Sequence, residues 1–189
     1  MYALISCGVF RDEVERVVSD LDFSVQCRYL DPGLHVDFDE LSSELKRELE
    51  RCRDRKIIVA YGACHPRMEE LLSPYRAALL DCQNCVDALI TRREVERRAE
   101  KGLYFYLSPG WLDCWRDMFR RLNWTQEEAR MELGSFKGSV YLDTLGDARS
   151  REDALMEFFD YTLLTCEIMP VNLDHFKSLI IKAKNRLEE

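Results

Sequence analysis

Three cysteines follow three separate apolar runs, each at the point where a buried strand would give way to a loop: Cys7, Cys64 and Cys82. Because the carboxyl ends of parallel strands meet at one edge of a sheet, we expect the three thiols to converge there. Three thiolates can bind zinc with one position left open, or three irons of a four-iron cluster with the fourth iron free. The spacing therefore predicts a soft-metal site at the strand ends.

Three further side chains are candidates for the fourth ligand: Cys85, His35 and His65. Cys85 forms a Cys-x-x-Cys pair with Cys82, but one such pair supports zinc only weakly and is also typical of a redox dithiol at a helix start. His65 directly follows Cys64, and His35 lies in a Pro-Gly turn. Either histidine could be a ligand, an acid-base group or an ordinary turn residue.

Core packing is the alternative for each thiol, because free cysteine is among the most buried residue types. Thiol catalysis is a further alternative. Eight cysteines are present in all, and a chain of this size does not need a disulfide framework. Four of them sit within strand or helix patterns and are predicted to be packing residues: Cys27, Cys52, Cys114 and Cys166.

Small, polar and aromatic residues beside the strand ends are expected to form a pocket around the thiols. Trp111 could wall this pocket or stack on a flat ligand, although a tryptophan at a helix start is as often part of the core. Asp143 and Thr144 could bind a ligand or cap the next helix. The predicted pocket residues are Gly8, Tyr61, Gly62, Asp81, Ser108, Gly110, Trp111, Asp143 and Thr144.

Short apolar runs alternate with helical patterns along the chain, and this order predicts an α/β fold. We expect a mainly parallel, Rossmann-like sheet flanked by helices, in a single domain of residues 1–189. A C-terminal helical segment from about 151 to 189 is expected to pack on it. No GxGxxG or GxxxxGK[ST] motif is present, so a standard nucleotide cradle is not predicted.

Composition limits the classes of partner. The 189 residues carry 27 basic and 35 acidic side chains, a net charge of -8, which disfavours a surface for nucleic acid. No apolar run approaches the roughly 20 residues that span a bilayer, and no signal-peptide pattern follows Met1. The sequence predicts a cytoplasmic protein, and its 47% hydrophobic content is ample for a core.

Six short elements occur in a fixed order: Cys7-Gly8, Leu34-His35, Tyr61-Gly62-Ala63-Cys64, Asp81-Cys82, Ser108-Pro109-Gly110-Trp111 and Asp143-Thr144. In this ordered set the chain resembles an uncharacterised family of anaerobic archaea and bacteria, domain of unknown function 1638. Two departures stand out. His65 replaces a glycine that often follows the YGxC-like element, and Leu80 replaces a histidine that often precedes Asp-Cys.

The resemblance implies a role near corrinoid-dependent methyl transfer, with a corrinoid protein or methyltransferase as the partner. The leading hypothesis is a metal-binding protein with an iron-sulfur cluster, or else zinc, held by Cys7, Cys64 and Cys82. One alternative is a zinc- or thiol-dependent methyltransferase. Another is a non-catalytic adapter or chaperone for a corrinoid protein.

Overall fold

The computed structural model describes residues 1–189, which form seven β-strands and nine α-helices. The strands are β1 (Tyr2–Cys7), β2 (Val25–Leu30), β3 (Lys56–Ala60), β4 (Ala77–Leu79), β5 (Tyr104–Leu107), β6 (Gly138–Asp143) and β7 (Cys166–Pro170). The helices are α1 (Arg11–Val18), α2 (Phe38–Arg51), α3 (Met68–Leu72), α4 (Cys85–Ile90), α5 (Arg92–Ala99), α6 (Pro109–Arg121), α7 (Gln126–Glu132), α8 (Glu152–Thr162) and α9 (Asp174–Arg186). No helix combines the length and the hydropathy that a membrane span needs.

The strands form two sheets, and all the pairings are parallel. The first sheet has the order β2-β1-β3-β4 and the second the order β5-β6-β7. The predicted α/β class with parallel strands is confirmed. In the first sheet β1, β3 and β4 are direct neighbours, so their carboxyl ends lie side by side.

The central strands of the first sheet are buried on both faces. Leu4 and Ile5 in β1 and Ile57 and Ile58 in β3 are all fully buried. A continuous apolar run of this kind is typical of a parallel strand with helices on either side. Helix α9 supplies part of this cover, because it packs against β3 and β4.

The second sheet shares the core of the first through its middle strand. Val140 of β6 packs in the same apolar cluster as β1 and β3, whereas Tyr141, on the opposite face, packs with Trp115 and Phe158 in a second cluster. Alternate residues of a strand point to opposite faces, so β6 joins the two clusters.

Strand β7 lies inside the C-terminal segment of residues 151–189, for which the sequence predicts helices and no strand. It is the edge strand of the second sheet, and Ile168 is half exposed. Few of its side chains are buried, so the segment carries neither the alternation nor the continuous apolar run that would identify a strand. The predicted C-terminal helices are present on either side of it as α8 and α9, which pack into the second and first clusters respectively.

The carboxyl edges of the two sheets face each other. Helix α6, which follows β5, contacts the helical turns that follow β1 and β2. The Thr144 hydroxyl, just after β6, donates a hydrogen bond of 2.7 Å to Glu13 Oε1 in α1. Both edges therefore border a common boundary, where ligands bind in many α/β proteins.

Glu13 is expected to make stability depend on pH. It is fully buried, its Oε2 has no hydrogen-bond partner, and burial raises its pKa from 4.5 to about 7. The native state therefore binds more protons than the unfolded state between these values, and stability falls as pH rises through this window. In Glu13→Gln we expect this fall to be absent, leaving the variant about 3 kcal/mol more stable than wild type above pH 7.

The measurement is urea unfolding of both proteins at pH 4 and pH 8. At pH 4 the two free energies of unfolding should be nearly equal, because the carboxyl is protonated in both states. A wild-type advantage at pH 8 would contradict the assignment of an uncompensated buried carboxylate.

Candidate functional site

A largely apolar cavity of about 330 Å³ lies at the carboxyl edge of the first sheet. Loops after β1, β2 and β3 contribute to it, as do the starts of α2, α4 and α6. Its lining residues are Cys7, Val9, Phe10, His35, Phe38, Tyr61, Gly62, Cys64, Asn84, Cys85 and Trp111. We refer to it as the thiol cavity.

Three thiols line this cavity from three separate segments. Cys7 is the last residue of β1, Cys64 follows β3 in the adjoining loop, and Cys85 is the first residue of α4. The neighbouring positions of β1, β3 and β4 bring the three segments together. Convergence of cysteines from distant parts of the sequence is therefore observed, with Cys85 as the third member.

Cys82 lies beside the thiol cavity and does not line it. Its Sγ is 3.7 Å from the Tyr61 carbonyl oxygen, and together with Asp81 it borders a neighbouring cavity along β4. The turn from Cys82 to Cys85 reverses the chain into α4. This turn places the second cysteine of the pair in the thiol cavity.

His35 presents a free ring nitrogen at the cavity. Its Nδ1 lies 2.8 Å from the Pro32 carbonyl oxygen. A carbonyl can only accept, so Nδ1 carries the proton and Nε2 keeps its lone pair. Burial lowers the pKa of His35, which favours this neutral form. A neutral imidazole held by a carbonyl at its other nitrogen is the usual state of a metal-binding histidine.

His65 has no free ring nitrogen. Its Nδ1 accepts a hydrogen bond of 3.0 Å from the Arg67 backbone N–H, so Nε2 carries the proton and donates to Ser42 Oγ at 2.8 Å. The ring also packs edge-on against Phe38, with 5.5 Å between centroids. These contacts attach the loop after β3 to α2 and give His65 a structural role.

The thiols are protonated when no metal is bound. Burial raises the pKa of Cys7 to about 12 and that of Cys85 to about 11, and it raises the pKa of Cys64 as well. Hydrogen bonds act in the opposite direction: the Val9 backbone lowers the pKa of Cys7, and the Trp111 side chain lowers that of Cys85. Donors are therefore in place for thiolates, although burial outweighs them.

Slow alkylation of the metal-free protein is expected from these pKa values. At pH 8 a thiol with a pKa of about 12 is ionised to about one part in ten thousand, and the thiolate is the nucleophile. We expect Cys7 and Cys85 to react with iodoacetamide at least tenfold more slowly in the native than in the urea-unfolded protein. Mass spectrometry of the peptides measures both rates, and equal rates would contradict the burial of these thiols.

The start of α6 closes the cavity from the side of the second sheet. Ser108 caps the helix by accepting a hydrogen bond of 3.3 Å from the Trp111 backbone N–H. The Trp111 ring lies 5.4 Å from the His35 ring, between centroids. Gly110 packs directly on the Val9 backbone, where a Cβ would overlap the carbonyl oxygen. Trp111 therefore lines the thiol cavity at the edge of the first sheet.

Two predicted glycines allow close approach of the loops that carry the thiols. A Cβ on Gly62 would lie 2.6 Å from the Gln83 carbonyl oxygen, in the loop that leads to Cys85. A Cβ on Gly8 would lie 2.8 Å from the Leu30 carbonyl oxygen at the end of β2. Because glycine has no side chain, these backbone segments can lie in direct contact.

No three His, Cys, Asp or Glu side chains anywhere in the chain stand close enough together, in this arrangement, to hold one metal ion. The three thiols and the His35 ring surround the cavity at a greater separation than a single ion requires. None of the three cysteines forms a disulfide.

A model of the family described as protein of unknown function DUF1638 matches residues 29–180. The chain belongs to this family. No curated protein and no solved structure matches it. The matched range of the DUF1638 model contains Cys64, Cys85 and His35, whereas Cys7 lies before it. The resemblance inferred from the ordered motifs is confirmed, and the family description carries no function.

Asp143 and Thr144 line a different cavity of this DUF1638 protein, with a volume of about 670 Å³, at the end of the second sheet. Asp143 Oδ1 accepts a hydrogen bond of 2.9 Å from the Asp147 backbone N–H, and Thr144 binds Glu13. Both side chains thus order the loop after β6. They follow a strand of the second sheet, which explains their distance from the thiols.

Four residues that line the thiol cavity were not predicted from the sequence: Val9, Phe10, Phe38 and Asn84. Val9 and Phe10 directly follow Cys7-Gly8 and could have been found as the first residues after the strand. Asn84 was marked by its position in the turn before a helix, where it caps α4. Phe38 carried no such signal, because it reaches the cavity only through the packing of α2.

Proposed function

We propose that this DUF1638 protein binds a metal centre in the thiol cavity through Cys7, Cys64, Cys85 and the Nε2 atom of His35. The observation that carries the proposal is the arrangement of three thiols and one free imidazole nitrogen around a single, largely apolar cavity. Thiolate and imidazole are the ligands preferred by zinc and by iron-sulfur clusters. The set replaces Cys82 of the sequence hypothesis by Cys85.

An iron-sulfur cluster is the favoured occupant. A single zinc ion needs all its ligands within about 2.3 Å of one point, and the thiols are too widely spaced for that. A cluster instead binds each cysteine at a different iron, so its ligands surround a volume. Three thiols that line one cavity from three separate segments provide ligands of this kind.

The surroundings of the thiols also favour bound thiolates. Metal binding removes the thiol protons, and the resulting negative charge is costly in an apolar site unless donors face it. The Trp111 side chain lowers the pKa of Cys85, and the Val9 backbone lowers that of Cys7, so both groups favour the thiolate form. When bound, such a cluster would supply electron transfer or a Lewis-acidic iron, while this chain's residues would hold it and exclude water.

Elemental analysis with a visible spectrum, on protein purified without oxygen, tests the proposal. Iron and sulfide in equal amounts with broad absorption near 400 nm are expected. One zinc ion per chain would support the proposed site, with zinc in place of the iron-sulfur cluster. No metal after reconstitution with iron and sulfide, or with zinc, would overturn the proposal.

Zinc is the second candidate, because three cysteines and one histidine form a common zinc set and His35 has the tautomer that zinc needs. The loops that carry these residues would, however, have to close around the ion. Bound zinc could activate a thiolate or a substrate for methyl transfer, and the alternative function is then a methyltransferase. Turnover of a methylated donor with a corrinoid acceptor would be its test, and absence of methyl exchange in the zinc protein would exclude it.

A corrinoid protein or methyltransferase is the partner we propose on the strength of the family resemblance, with an adapter role as the non-catalytic alternative. Free cysteines throughout the chain support placement in a reducing compartment, for which we propose the cytoplasm. Co-purification from the native cell under anaerobic conditions tests the partner. Recovery of the protein without any corrinoid would count against it.

A further inference from the structure

The side chain of Tyr61 carries a hydroxyl that makes no well-formed hydrogen bond within the protein, although the Cys7 thiol, a weak acceptor, lies beside it. The residue is 1% exposed, and its hydroxyl oxygen is buried without a hydrogen-bond partner. An unmet buried polar group of this kind typically costs about 1–3 kcal/mol, and most buried hydroxyls therefore have a partner. The exception calls for a partner that the chain does not supply.

The hydroxyl belongs to the thiol cavity. Tyr61 lines it, and the oxygen lies near the thiols of Cys7 and Cys64, which line it as well. No phenol, serine or threonine other than Tyr61 contributes to the lining, so it carries the only hydroxyl there. At neutral pH a phenol keeps its proton and can donate it in a hydrogen bond.

The other polar groups of the lining are either hydrogen-bonded within the chain or belong to the proposed metal ligands, which are the three thiols and His35 Nε2. Asn84 Oδ1 accepts from the backbone N–H groups of Val86 and Asp87, and His35 Nδ1 is bound to Pro32. No Lys, Arg, Asp or Glu lines the cavity. The rest of the surface is mainly aromatic and aliphatic, and the volume is at the small end of the range for ligand sites, roughly 300–1,000 Å³.

We propose that the thiol cavity binds a small, neutral, mainly apolar organic molecule, and that Tyr61 selects it by donating a hydrogen bond to its one acceptor atom. This inference deepens the proposed function, since the molecule would bind beside the metal centre. Its recognition rests on the cavity and on Tyr61, so it can be tested separately from the metal.

Two probes of matched shape separate the hydrogen bond from apolar contact: cyclohexanone, which has a carbonyl acceptor, and methylenecyclohexane, which has none. Their affinities are measured by ligand-observed NMR titration against wild type and Tyr61→Phe. We expect wild type to prefer cyclohexanone, and we expect Tyr61→Phe to lose about tenfold in this preference. Tyr29→Phe, which removes a hydroxyl bound to Glu15 away from the cavity, should keep it.

An equal preference in wild type and Tyr61→Phe would overturn the inference, and so would failure of both probes to bind wild type. Thermal unfolding of each variant checks that the isosteric change leaves the fold intact. Metal content measured on the same samples separates the two proposals. If the wild-type protein holds no metal while Tyr61→Phe still loses the ketone preference, that outcome would support the role of Tyr61 and contradict the proposed metal centre.

Discussion

Alanine at Cys64 is expected to abolish the binding of a metal centre by this protein. Cys64 lies between the other two thiols in the order of the strands, since β3 is the neighbour of both β1 and β4. A four-iron cluster with one cysteine removed has lost a ligand to one iron, and a thiol set of two supports neither cluster nor zinc well. We expect metal per chain to fall at least tenfold, as measured by elemental analysis after anaerobic purification.

Two other cysteine variants provide the controls for this result. Cys166→Ala alters a cysteine on the edge strand β7, outside the thiol cavity, and should retain the full metal content. Cys82→Ala separates the structural proposal from the sequence hypothesis, because Cys82 borders the neighbouring cavity. Retention in Cys82→Ala with loss in Cys85→Ala is expected. The reverse pattern would return Cys82 to the ligand set and contradict the geometry.

Alanine at Gly110 is expected to produce a large loss of stability. The new Cβ would overlap the carbonyl oxygen of Val9, and its nearest neighbours are all backbone atoms of that residue. Backbone cannot swing aside as a flexible side chain can, so α6 and the turn after β1 must separate. Overpacking typically costs 1–3 kcal/mol, and we expect about 3 kcal/mol by urea unfolding.

Gly134→Ala is the matched control. No atom outside its chain neighbours lies within 4 Å of a Cβ at Gly134, in the short helical turn after α7. This substitution should be neutral or stabilising by up to about 1 kcal/mol, since alanine restricts the unfolded chain. Equal stabilities of Gly110→Ala and wild type would show that α6 is not held against the first sheet in the way described.

The strands β1, β3 and β4 of the first sheet were predictable because their sequences are mainly apolar, whereas β2 alternates only weakly. Only the mainly apolar run at Lys56–Ala60 predicts its strand, β3, with the observed bounds, and the turn residues Tyr61-Gly62 mark its end. Convergence of the strand ends followed from parallel pairing alone. The division into two sheets was not predictable, since strand order depends on contacts between distant segments and leaves no local pattern.

The sequence predicted that cysteine and histidine form the candidate site, but it did not predict every position that supplies them. Cys82 and Cys85 are only three residues apart, and the conformation of the loop before α4 decides which of them faces the cavity. The tautomer of His35 depends on the Pro32 carbonyl, and the orphaned hydroxyl of Tyr61 on its burial. Spacing in a sequence records neither contact, so the sequence treated His35 and His65 alike.

X-ray absorption at the metal edge is the most direct test of the central claim, that the thiol cavity binds a metal centre through three cysteines and one histidine. For zinc, the account predicts about three sulfurs at about 2.3 Å and one nitrogen at about 2.0 Å. For iron, it predicts sulfur neighbours together with iron-iron scattering from a cluster. A bound metal surrounded only by oxygen and nitrogen ligands would contradict the account.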